Sequence, residues 1–322
     1  QYGCISGSLN QMSWARDQKV DIMLYEFSSW GMEFIDGSSN MEKAMDELHQ
    51  NNNIVQVSPA GNLAGSGKHM KAEFSQGSIQ VGVDLPSKWP DTLFQYFDTP
   101  GMMISFYWYG GADDFHLSVM EPEGEEKIGV AANSNGPLSF GENMVVYSFT
   151  ETASTGLMHR VVTIYDENQK KIPDGKYMLT IKNQVGKNLE LHGYIQDLAS
   201  GWARMTIFDS YESDDTTICH PSTADSAFSV AAYGGEFGPP EELGMIRGYS
   251  GRGPRIDGKV AIDIAAPDDP YSPFPELHTG PFSGNKDVVA SYMVFGGTSG
   301  AGPHVAAGLA LVKQLEPSAA AD

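Results

Sequence analysis

Apolar and polar positions change rhythm twice along this chain. Over residues 1 to about 70, helix and strand signals alternate. Residues 9–17 read as the end of a helix, and 20–27 as an apolar, strand-like run. Ser38 or Ser39 offers a cap to a helix in which Met41, Ala44, Met45 and Leu48 recur on one face. Residues 54–57 form a short apolar strand leading into Pro59-Ala60-Gly61-Asn62. Strand, helix and strand with short links predict a βαβ unit, and with it a parallel sheet.

From about Lys71 to Ile207 the rhythm becomes that of strands alone. Ile79, Val81, Val83 and Leu85 alternate with polar or small residues, and similar runs follow at 102–109, 116–120, 144–149, 157–165, 177–182 and 189–195. Gly110-Gly111 and Pro173-Asp174-Gly175 are turn signals between them. Regularly spaced short strands without helices predict a β-sandwich or jelly roll. From about Ser210 the mixed texture returns: a helical turn at 221–226, strands at 228–233 and 260–264, and a helix from about Ser299 to Gln314. The expected division is α/β over 1–70, a β-sandwich insertion over 71–212, and the rest of the α/β unit over 213–322.

Composition narrows the partners. A net charge of −21, from 41 acidic against 20 basic residues, repels nucleic acid and anionic lipid, so neither is expected. No apolar run approaches the roughly 18 residues of a membrane span. Two cysteines, Cys4 and Cys219, make neither a disulfide framework nor a zinc cluster. Gln1 and the abrupt ending at 317–322 read as cuts at both ends, and no leader pattern opens the chain.

The densest chemical signal is Gly297-Thr298-Ser299-Gly300-Ala301-Gly302-Pro303-His304-Val305. A serine at a helix N-terminus sits among backbone N–H groups that stabilise an oxyanion, with the helix dipole favouring the same charge. Small residues around it admit a peptide backbone, and Pro303 suits a first turn whose N–H groups lack internal partners. Gly-Thr-Ser alone would be an ordinary helix cap.

These nine residues resemble the nucleophile motif of the subtilisin family, with Ser299 on the nucleophile; Gly300 stands where Met is usual, and Ala307 where Gly commonly follows. Val57-Ser58-Pro59-Ala60-Gly61-Asn62 resembles the family's strand ending in Ala-Gly-Asn, which puts Asn62 on the oxyanion-hole amide. Tyr249-Ser250-Gly251-Arg252-Gly253-Pro254 and Asp263-Ile264-Ala265-Ala266-Pro267 are similar to two structural elements of the family, with Asp268 replacing a glycine. Glu26-Phe27-Ser28 falls where the family pairs its substrate strand. The resemblance covers roughly 9–70 and 213–316. It implies a subtilisin-like parallel sheet with helices, incomplete here and interrupted by an all-β insertion. It also implies an extracellular serine endopeptidase acting on polypeptides, with substrate contacts at Glu26, Phe27, Ser28, Pro59, Ala60, Gly61 and Thr298.

Glu26 beside that cleft either favours basic substrate residues or, more ordinarily, is an outward-facing carboxylate. No cofactor is implied with certainty; a structural calcium is common in such proteins, and Asp113-Asp114 or Asp268-Asp269 are its weak candidates.

The family's Asp and His precede the oxyanion asparagine, and the 61 residues before Asn62 hold only His49, expected to be exposed at the polar end of its helix. His192-Gly193 is followed by Tyr194 within the strand region and reads as a strand histidine with a local partner. His304 lies five residues from Ser299, about 140° away around the helix, and reads as a packed histidine with a hydrogen-bonding role. The chain alone is therefore expected to be inactive or nearly so, its Asp and His coming from a preceding segment of the same protein. The alternatives are a pseudoprotease or a peptide- or carbohydrate-binding protein. For the last, Tyr107, Trp108 and Tyr109 would be a stacking platform on the insertion.

Overall fold

The structure, a computed structural model, describes residues 5–87, 101–122, 124, 127–133, 136–140, 143–168, 172–197, 205–236, 240–273 and 292–321. The chain opens with helix α1 (Ile5–Asp17), strand β1 (Ile22–Leu24), helix α2 (Asn40–Asn52) and strand β2 (Val55–Pro59). Ser39 caps α2 in a complete capping box: its side chain accepts from the Glu42 N–H, and the Glu42 carboxylate accepts from the Ser39 N–H. Met41, Met45 and Leu48 are the buried face of α2 and pack on Met12, Met23 and Ile54. His49, expected to be exposed, is half-buried near the end of this helix.

Eleven strands then follow among the described residues. They are β3 (His69–Phe74), β4 (Ser78–Leu85), β5 (Gly101–Tyr109), β6 (Phe115–Met120), β7 (Ile128–Val130) and β8 (Leu138–Phe140). After them come β9 (Met144–Thr152), β10 (Leu157–Asp166), β11 (Gly175–Asn183), β12 (Leu189–Gln196) and β13 (Ile207–Phe208). They form a six-stranded sheet, β3-β12-β5-β10-β9-β8, and a five-stranded sheet, β13-β4-β11-β6-β7, antiparallel throughout. Phe106, Trp108, Phe115, Ile164, Leu179 and Ile181 are among the side chains of their shared core. The Trp108 and Phe115 rings meet edge-on at 4.9 Å. Each such ring or branched chain contributes about 1.5–3 kcal/mol by leaving water.

The carbohydrate platform does not form. Tyr107 and Trp108 are both buried, and only Tyr109 reaches solvent. Trp108 faces the other sheet, while Tyr107 stacks on His159 at 4.4 Å and donates its hydroxyl to the Glu33 carbonyl at 2.6 Å. This strand is covered on both faces, which alternation read one face at a time cannot reveal. His192, by contrast, is the strand histidine expected, 3.0 Å from His69 and 3.2 Å from Glu190.

The parallel sheet closes around the insertion. Strand β14 (Ala227–Tyr233) pairs with β2, and β15 (Ile264–Pro267) pairs with β14, giving the all-parallel order β1-β2-β14-β15. Strands β16 (Tyr271–Pro273) and β17 (Tyr292–Val294) make a separate hairpin-like pair, and helix α3 (Thr298–Leu315) ends the described architecture. The strand expected at 260–264 begins only at Ile264. Val260 is 89% exposed, and the Asp263 carboxylate is occupied in accepting from the Ser229 N–H at 2.8 Å. The run at 20–27 likewise contributes only three residues to the sheet. Beyond Leu24 the Tyr25 N–H makes one more bond to β2, to the Val57 carbonyl at 3.0 Å, and the Tyr25 hydroxyl donates to Gln56.

β2 is buried along its whole length because sheet and helices cover both sides. Val55, Val57, Val230, Ala232 and Ala266 meet Ala301 and Val305 of α3, so the helix lies on this sheet with its first turn at the strands' C-terminal edge.

Candidate active site

In an open parallel sheet, the carboxyl ends of the strands are where loops converge and ligands bind. Here three segments meet there: Tyr25–Ser28 leaving β1, Ala60–Asn62 leaving β2, and the start of α3.

The loop after β2 is held by its backbone. Ala60 donates to the Val230 carbonyl at 2.9 Å, the Ala60 carbonyl accepts from Cys219 at 2.9 Å, and the Gly61 carbonyl accepts from Gly251 at 2.8 Å. Gly61 has φ of +93°, and a Cβ there would lie 2.4 Å from the sulfur of buried Cys219. Both the conformation and the space demand glycine. Cys219 is a free, buried thiol, and Cys4 lies outside the described residues.

Asn62 then faces α3. Its Oδ1 accepts from the Thr298 N–H and from the Thr298 hydroxyl, each at 2.9 Å. The hydroxyl in turn accepts from the Gly61 N–H at 3.2 Å. Gly297, the helix N-cap, has no side chain to offer, so Asn62 supplies the missing acceptor from another loop. With Oδ1 so occupied, the planar amide carries its Nδ2 donors on the opposite edge. Ser299 is the second residue of the helix and half-buried, its N–H in the turn where helical amides lack carbonyl partners.

Pro303 sits inside the helix rather than in its first turn. The N–H it lacks is the one that would bond the Ser299 carbonyl four residues back, so the motif loosens the helix just behind its serine. His304 is exposed rather than packed, its Nδ1 within 3.0 Å of the Gly300 carbonyl.

Two departures from the family pattern prove to be coupled. A Cβ at Gly300 would meet the Asp268 carbonyl at 2.4 Å and the Phe295 carbonyl at 2.5 Å, leaving no room for the usual Met. Asp268 takes part in a buried network: its carboxylate accepts from Arg247 at 2.9 Å and from the Tyr249 hydroxyl, which itself accepts from the Gly297 N–H at 3.2 Å. Arg247, Tyr249, Asp268 and Gly297, with Met245 and Ile246, line a cavity of about 670 Å³ beside the nucleophile loop. Reading the motifs one at a time assigned Tyr249 only a structural role and left Arg247 out. Asp269 also pairs with Arg247 and accepts from the Gly235 and Glu236 N–H groups, while Asp114 accepts from Gly111. Among the described residues no group of three or more His, Cys, Asp or Glu is placed to hold a metal ion.

On the other side of Ser299 lies Glu26. Its carboxylate is pushed up to about 7, chiefly because protein atoms displace water around it, with the Ser299 side chain acting in the opposite sense. Glu26, Phe27 and Ser28 are all exposed, so the carboxylate faces outward. Pro59, Ala60, Gly61 and Thr298 are buried. The structure thus gathers Glu26, Asn62, Gly61, Thr298 and Ser299 around one point. Three of the described histidines have partners elsewhere: His220 bonds Ser39 at 3.0 Å and burial lowers it to about 4, and His69 stacks with His192 and with Tyr194.

The fold is of the α/β class, a subtilisin-like parallel sheet that is incomplete and interrupted by a β insertion. The sequence model of the subtilase family matches residues 190–322, so the resemblance seen in the motifs holds for this segment. The structure of the Clostridium perfringens CspB protease superposes with a TM-score of 0.71 at 17% identity. That alignment covers 96% of this chain and 58% of the other, so the chain spans little more than half the length of that protease. No curated protein matches the chain.

Proposed function

We propose that the chain is the nucleophile-bearing part of a subtilisin-type serine endopeptidase that works outside the cell. Ser299 attacks the carbonyl of a bound polypeptide, and the oxyanion that forms is held by the Asn62 amide and the Ser299 N–H. The acyl-enzyme on Ser299 is then released by water. Substrate lies as an added strand along Glu26, Phe27 and Ser28 on one side, with Pro59, Ala60, Gly61 and Thr298 flooring the site. The triad Asp and His belong to a preceding segment of the same protein.

One observation carries this reading: Asn62 Oδ1 lies 2.9 Å from the Thr298 N–H, so the amide and the helix start address a common point beside Ser299. The test is peptide cleavage by the longer protein that contains this chain, with Ser299→Ala beside it. Cleavage abolished by the substitution supports the reading; cleavage unaffected by it, or none at all, ends it.

A further inference from the structure

We propose that the cavity beside the nucleophile loop is a subsite for a lysine or arginine of the substrate, and that Asp268 selects it. The residue it takes lies across the scissile bond from those paired with Glu26–Ser28. This rests on the reading of Ser299 as a nucleophile and deepens it by naming the class of peptide that the site prefers.

The position follows from the first turns of α3. Gly300 packs against the Asp268 and Phe295 carbonyls. Gly302, two residues on and about 200° around the helix, packs against Leu24, Pro59 and Glu26. The two glycines mark opposite flanks of the turn that carries Ser299. A strand paired with Glu26–Ser28 on one flank therefore continues past the serine toward the other, where Gly296 and Gly297 border the cavity of about 670 Å³. Glycine at 300 lets Asp268 approach the helix start closely, and Asp268 itself stands where the family pattern has glycine. The subsite is built from this chain's own departures from that pattern.

Its chemistry is two-sided. Met245 and Ile246 are 61% and 54% exposed, an apolar wall open to solvent. Facing the same cavity are the Glu242, Asp268 and Asp269 carboxylates, with Arg247 as the guanidinium that pairs with all three. Three negative groups around one positive group leave an excess of negative charge. The demand is sharpest at Asp268, which is 3% exposed. Its Oδ2 accepts from Arg247 at 2.9 Å and from the Tyr249 hydroxyl, while Oδ1 has no hydrogen-bond partner among the described residues. A buried carboxylate oxygen without a donor is costly, and a charged donor is its strongest partner. An apolar wall leading to such an oxygen suits a methylene stem with a cationic head. An acidic side chain would meet three carboxylates, and an apolar one would leave Oδ1 unanswered. Tyr249 also accepts from the Gly297 N–H at 3.2 Å, so the cation would join a hydrogen-bonded chain that ends at the start of α3.

The experiment uses the longer protein that contains this chain, in its Ser299→Ala form so that peptides bind without being consumed. Fluorescence anisotropy gives dissociation constants for peptides that carry lysine, norleucine or glutamate at each position in turn. Lysine should bind about tenfold tighter than norleucine at one position or two adjacent ones, and glutamate should bind more weakly there. Asp268→Asn should bring the lysine-to-norleucine ratio to about one. Because Asp268 also holds Arg247 and Tyr249, Glu242→Gln on the open rim is the second variant, expected to lower the ratio about two- to threefold. Circular dichroism melts check that both variants are folded. Equal binding of lysine and norleucine at every position overturns the proposal. So does a lysine gain spread evenly along the peptide, as the net charge of −21 alone would produce, or a ratio unchanged in the folded variants. With Ser299 restored, mass spectrometry of the products should place the favoured lysine at a fixed distance from the cut; a variable distance also counts against the subsite. Cleavage without any preference leaves the hydrolase reading standing and removes only the subsite. No cleavage at all ends the hydrolase reading, and the binding ratio still decides whether the cavity takes a cation.

Discussion

Substituting Gly61 by alanine tests the construction of the site at its tightest point. Two costs are separable. Backbone at φ +93° is disfavoured for an L side chain by roughly 1–2 kcal/mol. The new methyl would lie 2.4 Å from the Cys219 sulfur and 2.7 Å from its Cβ, an overlap that overpacked cores relieve at about 1–3 kcal/mol. Together Gly61→Ala should destabilise by roughly 2–5 kcal/mol, seen by equilibrium urea unfolding, and lower the melting midpoint by about 4–10 °C. Because Asn62 is the next residue, a shift of about 1 Å should also slow peptide cleavage by the longer protein about 100-fold. Changing Cys219 to glycine removes both overlapping atoms and none of the backbone strain. In that background Gly61→Ala should cost only the roughly 1–2 kcal/mol of strain, the difference being the coupling of the pair. A cost below about 1 kcal/mol in the wild-type background, or no coupling with Cys219, would show that the loop is not held as described.

Other consequences follow from the same structure. Asn62→Ala should slow acylation by roughly 10²–10³, the range taken over from this amide's counterpart in subtilisin, and also cost about 1 kcal/mol of stability as α3 loses its borrowed cap. Cleavage kinetics of the longer protein and a thermal melt separate the two effects. The Lys68 ammonium and Asp197 carboxylate are both fully buried and 2.6 Å apart. Lys68→Ala strands the carboxylate without its ammonium and should cost about 3–5 kcal/mol, whereas Lys68→Met with Asp197→Leu should cost far less; chemical denaturation of both variants decides it. Burial lifts Glu42 to about 7, so the folded state holds its proton more tightly than the unfolded chain does. That contribution is present below about 4.5 and lost as pH rises to about 7, amounting to a few kcal/mol. His220, lowered to about 4, acts oppositely, its contribution being lost as pH falls from about 6.5 to about 4. Glu42→Gln keeps an acceptor for the capping box and should abolish the first trend, read as the urea midpoint at about pH 5 against about pH 8.

The sequence by itself determined the elements that local physics governs. A serine cap at 38 or 39, the buried face of α2 and the alternation of β4 were legible, because each depends on residues within a few positions of one another; that the cap is Ser39 and that Glu42 completes it is seen only in the fold. Motif order pointed to the scaffold: glycine at 61 answers to the turn against Cys219, and the amide at 62 to the start of α3. Proximity across the chain was decided only by the tertiary structure. Tyr107 and Trp108 look like a half-exposed strand until a second sheet and the Glu33 segment cover both faces. The Val260 run looks like a strand until Asp263 is seen holding the Ser229 amide. Gly300 and Asp268 look like two unrelated departures until the helix start and the loop after β15 are found in contact. The position of Glu26 is the same kind of fact. A carboxylate at the end of a strand is ordinary in sequence; what distinguishes it is Gly302 in the first turns of α3, brought beside it only when the parallel sheet has formed.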